Sequence, residues 1–302
     1  MPRKTPAPMS PAKAAAIAKA QAASHIKNNQ GGPRARGLER AHKAIEWVYR
    51  WGWSTPTIIE ILLESQRSGL ANRLVKSGIF HRIPTPSGGI NNTPSCLLTL
   101  TQKGLEKAVE LTDKLYEYET DPHRISLKNV THDEVAQRLT AVKLNDLGGI
   151  DSYLTNKSLP AWNANEVKVP DVMWKRDGFD SKLGFAIEIE LTPKFRHEFD
   201  RFVTMTATLI RMKDQAGNKG FSGVEIYFKS PAMLKRYSEA FEPGVKTPLW
   251  VKEKGKTGRW QKKTDDDGLV VFSTMKKEIS DHIKFFLITP QMLGQKSSFN
   301  DL

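Results

Sequence analysis

The stretch Gly184–Leu191, GFAIEIEL, constrains the fold more than any other part of the chain. Successive side chains on a strand point to opposite faces, so its alternation of apolar and acidic residues is a strand signature that puts Glu188 and Glu190 on one face. Upstream, Val167–Trp174 (VKVPDVMW) reads as a second strand with Pro170-Asp171 near its start, and a polar turn around Asp177-Gly178 separates the two. A hairpin centred near Phe179-Asp180 sets Asp171 roughly opposite Glu188. Carboxylates that close repel one another unless a cation is present. A hard divalent cation resolves the repulsion, because carboxylate oxygens are the ligands such ions take. Asp171, Glu188 and Glu190 are thus the candidate ligands of Mg²⁺ or Mn²⁺. Lys194, read as the start of the next helix, is the candidate for stabilising phosphate charge or orienting water. The competing reading is a half-exposed strand whose glutamates pair with surface lysines.

The charge balance suggests what such a site would meet. Among 302 residues there are 46 Lys and Arg against 33 Asp and Glu, a net charge of +13. That favours a polyanionic partner, with nucleic acid ahead of a membrane surface because no amphipathic anchor or lipidation signal is found. The lone Cys96 allows no internal disulfide and no cysteine cluster for zinc or iron–sulfur. No run approaches the ~20 apolar residues of a membrane span, and no signal-peptide core is seen, so a cytoplasmic protein is expected. Met1–Gly37 is Ala-, Pro- and Lys-rich, with no acidic residue before Glu39. It reads as a disordered basic arm able to lie along phosphates, or as a solvated tail.

Helices are expected over Leu38–Trp51, from a Ser54 cap with Pro56 in the first turn, and over Gln66–Ser77. The third helix turns Arg67, Ser68, Asn72, Arg73 and Lys76 outward, and these are the candidate DNA contacts. A strand over Ile79–Ile83, the turn-rich PTPSGGINNTPS, a strand over Cys96–Leu100 and a helix from Thr101 to about Tyr116 follow. This order, with LVKSGIFHRI…LLTLTQKG, resembles winged helix-turn-helix domains and delimits residues 38–117. In helix-turn-helix proteins the recognition helix enters the major groove; a role in protein pairing is the alternative. Residues 118–130 read as a polar linker. From Thr131 the helix THDEVAQRLTAVKLND carries His132 and Glu134, either of which is a further candidate contact to the metal or its water. Helical spacing also groups His132 with the buried Ala136 and Leu139, and Glu134 equally suits the first turn of a helix. Residues 131–302 then alternate strands and helices. Their basic loop KEKGKTGRWQKKTDDDG suits phosphate contact or a solvated hairpin.

Pro170-Asp171, Glu188-x-Glu190 and Lys194 resemble the PD-(D/E)XK nuclease superfamily, which implies a restriction-endonuclease-like mixed sheet. The chain departs from that pattern where the usual lysine stands, having Glu190. Together with the winged helix and the THDE helix, the pattern resembles the MOBC relaxases of mobilisable plasmids and the related replication-relaxation proteins, over about Leu38–Ile210. The resemblance implies an α+β or α/β protein that hydrolytically nicks one strand of a double-stranded transfer origin. It implies Asp171, Glu188 and Glu190 as catalytic metal ligands, Lys194 and Glu134 as further catalytic residues, and single-stranded DNA and other mobilisation proteins as partners. The seven histidines are scattered with no HxH pair, against a tyrosine relaxase, and no P-loop is present. Two alternatives stay open. One is a non-catalytic DNA-binding accessory or regulator, which the departure at Glu190 favours; the other is a restriction- or transposition-type nuclease cutting both strands.

Overall fold

The computed structural model describes residues 32–65, 69–86, 93–112, 114–125, 129–144, 146–158, 168–175, 184–211, 221–253 and 259–295. Among them are eight α-helices and eleven strands, a mixed α+β architecture. The chain divides into two compact units. The first, Met1–His42, is described only from Gly32 and contributes the opening turns of α1. The second, Lys43–Leu302, holds everything that follows.

Helix α1 (Pro33–Trp51) begins five residues before Leu38 and ends where Gly52 adopts φ 85°, a left-handed conformation that glycine tolerates. Helix α2 (Pro56–Leu62) is capped by Thr55 rather than Ser54: the Thr55 hydroxyl accepts from the Ile58 amide at 3.2 Å. Ser54 is drawn instead into a two-way backbone bridge with Leu98. Helix α3 (Leu70–Lys76) is shorter than the periodicity suggests, with Leu70, Ala71 and Leu74 buried and Asn72, Arg73 and Lys76 exposed. Strand β1 (Phe80–Pro84) pairs antiparallel with β2 (Cys96–Leu100), and Thr101 caps α4 (Gln102–Leu111). The chain beyond α4 is not helical to Tyr116. The hydroxyl of Tyr118 donates to the Gly52 carbonyl at 2.9 Å and accepts from the Leu100 amide at 2.7 Å, so the segment expected to be a free linker is fastened at its start.

Helix α5 (Val130–Lys143) is followed by β3 (Tyr153–Thr155), β4 (Val172–Trp174) and β5 (Phe185–Glu190). After α6 (His197–Arg211) come β6 (Gly223–Phe228) and α7 (Pro231–Ala240). Strands β7 (Lys246–Pro248), β8 (Trp250–Lys252), β9 (Trp260–Lys262) and β10 (Phe272–Thr274) form two small antiparallel pairs, β7 with β10 and β8 with β9. Helix α8 (Lys277–Ser280) leads to β11 (Ile283–Leu287). The main sheet has the order β11-β6-β5-β4-β3, parallel through its first three strands and antiparallel through its last three. Strand β5 is therefore central and buried along its whole length. Ala186, Val224, Ile226 and Phe228 pack beneath Phe202 and Val203 of α6 and Tyr237 of α7.

Helix α6 does not begin at Lys194. Arg196 takes φ 47°, and the Lys194 amide is held by the Tyr237 hydroxyl at 2.9 Å, so Lys194 lies in an irregular segment ahead of the helix. Helices α1 and α5 are joined by side chains: the Trp47 indole donates to Gln137 Oε1 at 3.1 Å, and Gln137 Nε2 donates to the Trp53 carbonyl at 3.0 Å.

Strands β4 and β5 approach closely beside Gly184, where a Cβ would run into the Trp174 carbonyl oxygen and lie 2.6 Å from its carbon. Gly184→Ala is expected to cost about 1–3 kcal/mol, the range for overpacking in a tight site. A lowered urea midpoint would show it; an unchanged midpoint would mean that the strands are not so close.

Candidate active site

The main sheet gathers the expected acidic residues at one place. Val172 pairs with Ile187, and continuing that register sets Asp171 against Glu188. The Asp171 amide donates to the Ile187 carbonyl at 3.1 Å, and Asp171 Oδ2 accepts from the Ile189 amide at 2.8 Å. Asp171 is thus stitched to β5 on both sides of Glu188. Glu188 is fully buried and Glu190 nearly so, at 0% and 3% exposure. The hairpin turn expected between the strands falls on residues 176–183, outside the described residues.

Two lysines answer the buried charges. Lys168 pairs with Glu188 Oε2 and lies 3.9 Å from Glu190 Oε1; Lys194 pairs with Glu190 Oε2. Both ammonium groups sit over the Phe202 ring, at 4.5 and 4.9 Å from its centre. Glu188 Oε1 is left buried with no hydrogen-bond partner among the described residues. Burial pushes the Glu188 carboxyl up to about 8, against the pull of Lys168 and helped by the charge of Asp171. Burial would likewise raise Asp171, but the His132 hydrogen bond and the Lys168 charge outweigh it and hold the group below its ordinary value.

His132 reaches this cluster from α5. Its Nε2 is 3.3 Å from Asp171 Oδ2 and 3.0 Å from the Ile189 carbonyl, and its Nδ1 is 3.4 Å from Asp133 Oδ1. Burial alone would lower the imidazole, but the hydrogen bonds to Asp133 and Asp171 more than offset it and raise His132 to about 10. A group raised on folding stabilises the native state fully below its unfolded pKa, here 6.5, and loses that contribution as pH climbs through about 10. Glu188, raised from 4.5 to about 8, works in the same direction. Thermal stability is therefore expected to fall between pH 6.5 and pH 10, with His132→Asn removing the His132 share of the slope. Parallel wild-type and variant melting curves across that range would refute the assignment.

Of the other expected site residues, Lys194 joins the cluster through Glu190. Glu134 does not join through any described contact. Its Oε1 accepts from Arg138 Nε at 3.0 Å and Nη2 at 2.9 Å, and it faces a cleft of about 660 Å³ on another side of α5. Asn72, Arg73 and Lys76 lie on the exposed side of α3; Arg67 and Ser68 are outside the described residues. Lys168 and the His132–Asp171 contact are the additions the structure makes. A lone lysine in the apolar run VKVPDV, facing an acidic strand, was the available signal for Lys168.

The donor set of Asp171, Glu188 and Glu190 is all carboxylate oxygen, and the unpartnered Glu188 Oε1 is a buried acceptor in want of a cation, so these residues fit a hard divalent ion. As they stand, no three His, Cys, Asp or Glu side chains among the described residues are disposed to hold a metal ion, the lysines occupying the glutamates instead. Among the described residues no helix is long and apolar enough to cross a membrane. Comparison with protein-family profiles, characterised proteins and solved structures finds no match to this chain.

Proposed function

We propose that this chain is a Mg²⁺- or Mn²⁺-dependent DNA endonuclease of the relaxase kind, nicking one strand of a plasmid transfer origin by hydrolysis. The observation that carries the reading is the convergence of Asp171, Glu188 and Glu190 on a central, buried strand, with one glutamate oxygen unpartnered. The run of α5, three antiparallel strands, α6 and a parallel β6 is the order expected of a restriction-endonuclease-like domain, and three helices with an antiparallel pair ahead of it suit a winged helix.

Asp171, Glu188 and Glu190 would hold the cation. When bound, it would polarise the scissile phosphate and lower the pKa of its water. His132 through Nε2 and the Ile189 amide both fix the Asp171 carboxylate, at Oδ2. The buried Phe202 ring lies under the ammonium groups of Lys168 and Lys194 that pair with the glutamates. Lys194, one-third exposed, is free to turn from Glu190 to a phosphate oxygen. Lys168 neutralises the pair in the absence of a cation.

That same neutralisation favours a second reading, a non-catalytic DNA-binding protein whose acidic pair is a structural ion cluster. Supercoiled plasmid carrying the chain's own origin separates the two. Open circles formed with Mg²⁺ or Mn²⁺ and abolished by EDTA support the nuclease; site-specific binding with no cleavage under either metal supports the second reading. Linear product would instead indicate cleavage of both strands.

A further inference from the structure

The cleft of about 660 Å³ that Glu134 faces has no part in the reading above, and its volume lies within the range of about 300–1,000 Å³ typical of ligand sites. It opens at the carboxyl ends of the parallel strands: Leu191, Lys229 and Ile288, each just past its strand, all line it. Ligands of open sheets collect at such ends. Among the described residues that line it, three cations, Arg82, Arg138 and Lys229, face a single carboxylate, Glu134. Arg138 is committed to Glu134 and to the Leu293 carbonyl at 3.3 Å, whereas Arg82 and Lys229 are exposed. Among the described residues no aromatic ring lines the cleft, so none of them offers a stacking face to a base.

The cleft also connects two regions. Arg82 donates to Asn72 Oδ1 at 3.3 Å, which continues the row of polar and basic groups onto the exposed face of α3. At its other side, the Lys229 amide donates to the Glu190 carbonyl at 3.2 Å, so the cleft ends at the strand that carries the two glutamates. We propose that this cleft binds a single strand of nucleic acid by its phosphates, with Arg82 and Lys229 as the contacts, guiding the strand from α3 toward Asp171 and the glutamates. The proposal rests on the DNA reading above and adds to it a path and a mode of recognition. Contact is to the backbone and tolerant of sequence, as expected where charge without stacking does the binding.

The test is fluorescence anisotropy of the full chain with a labelled oligothymidine, an abasic oligomer of the same length and a duplex. In the variant Arg82→Gln with Lys229→Gln, affinity for both single strands is expected to fall at least tenfold. The slope of log affinity against log salt should shrink by about 1.4, since each lost contact on a single strand removes about 0.7. Duplex affinity should stay within twofold. Lys229→Gln alone, expected to give about half the change in slope, serves if the double variant melts early. Unchanged single-strand binding, or equal losses for single strand and duplex, would overturn the cleft. If, with single-strand binding unchanged in the cleft variant, Arg73→Ala with Lys76→Ala still weakens duplex binding, the DNA reading survives the cleft's failure. A wild-type chain that binds none of the three probes sinks both.

Discussion

Replacing Asp171 by asparagine together with Glu188 by glutamine is expected to lower the rate of plasmid nicking by more than about a hundredfold. Loss of an outer partner of a metal site already costs about 10–100-fold, and these two residues are proposed ligands. The amide variants are preferred to alanine because they preserve volume and most hydrogen bonds. Asparagine keeps an acceptor for the Ile189 amide, and glutamine keeps one for Lys168. Glu188 is fully buried and that burial favours its neutral form, which glutamine resembles in shape and charge. Folding should thus survive, and the loss of nicking can be read as chemistry if the melting curve of the variant is preserved. Wild-type nicking by a folded double variant would refute the metal-site assignment.

The second large effect concerns stability. Trp47 is fully buried, its ring lies 5.2 Å from Tyr153 and 5.7 Å from Trp51, and its indole N–H is spent on Gln137. Trp47→Ala is expected to cost about 3–5 kcal/mol through the cavity alone. It also leaves the buried Gln137 oxygen without its donor, a further ~1–3 kcal/mol. Trp47→Phe isolates that second part, because most of the volume stays while the N–H goes. Denaturant titration of both variants checks the division: a Phe variant as stable as wild type would mean that the hydrogen bond contributes little. Gln137 lies on the same helix as His132, so either change is also expected to loosen the helix that positions Asp171.

Much of the main sheet was legible because its strands have strong local signals. The alternation in FAIEIEL located β5. The site was legible to the same extent, since the strand period puts Glu188 and Glu190 together wherever the strand forms. What escaped depended on contacts distant in sequence. Ser54 and Thr55 are equally good caps locally, and only pairing of Ser54 with Leu98 decides between them. Thr192-Pro193 has the chemistry of a helix start, but Tyr237 captures the Lys194 amide and delays α6. Tyr118 looks like a linker residue until its hydroxyl is seen between Gly52 and Leu100. Glu134 and His132 are two residues apart on one helix, so periodicity alone could not tell which would turn to the sheet; Arg138, one turn on, takes Glu134.

The central position of β5 has a consequence for how the chain is made. Its antiparallel neighbour β4 precedes it, but its parallel neighbour β6 lies beyond α6, and β6 in turn awaits β11 at Ile283–Leu287. Parallel pairing needs such long crossovers and forms slowly. During synthesis, then, the strand FAIEIEL spends time as an open edge. Charged side chains on an edge discourage pairing with other chains. Glu188 and Glu190, buried in the finished sheet, are the charges that such an edge carries until β6 covers it.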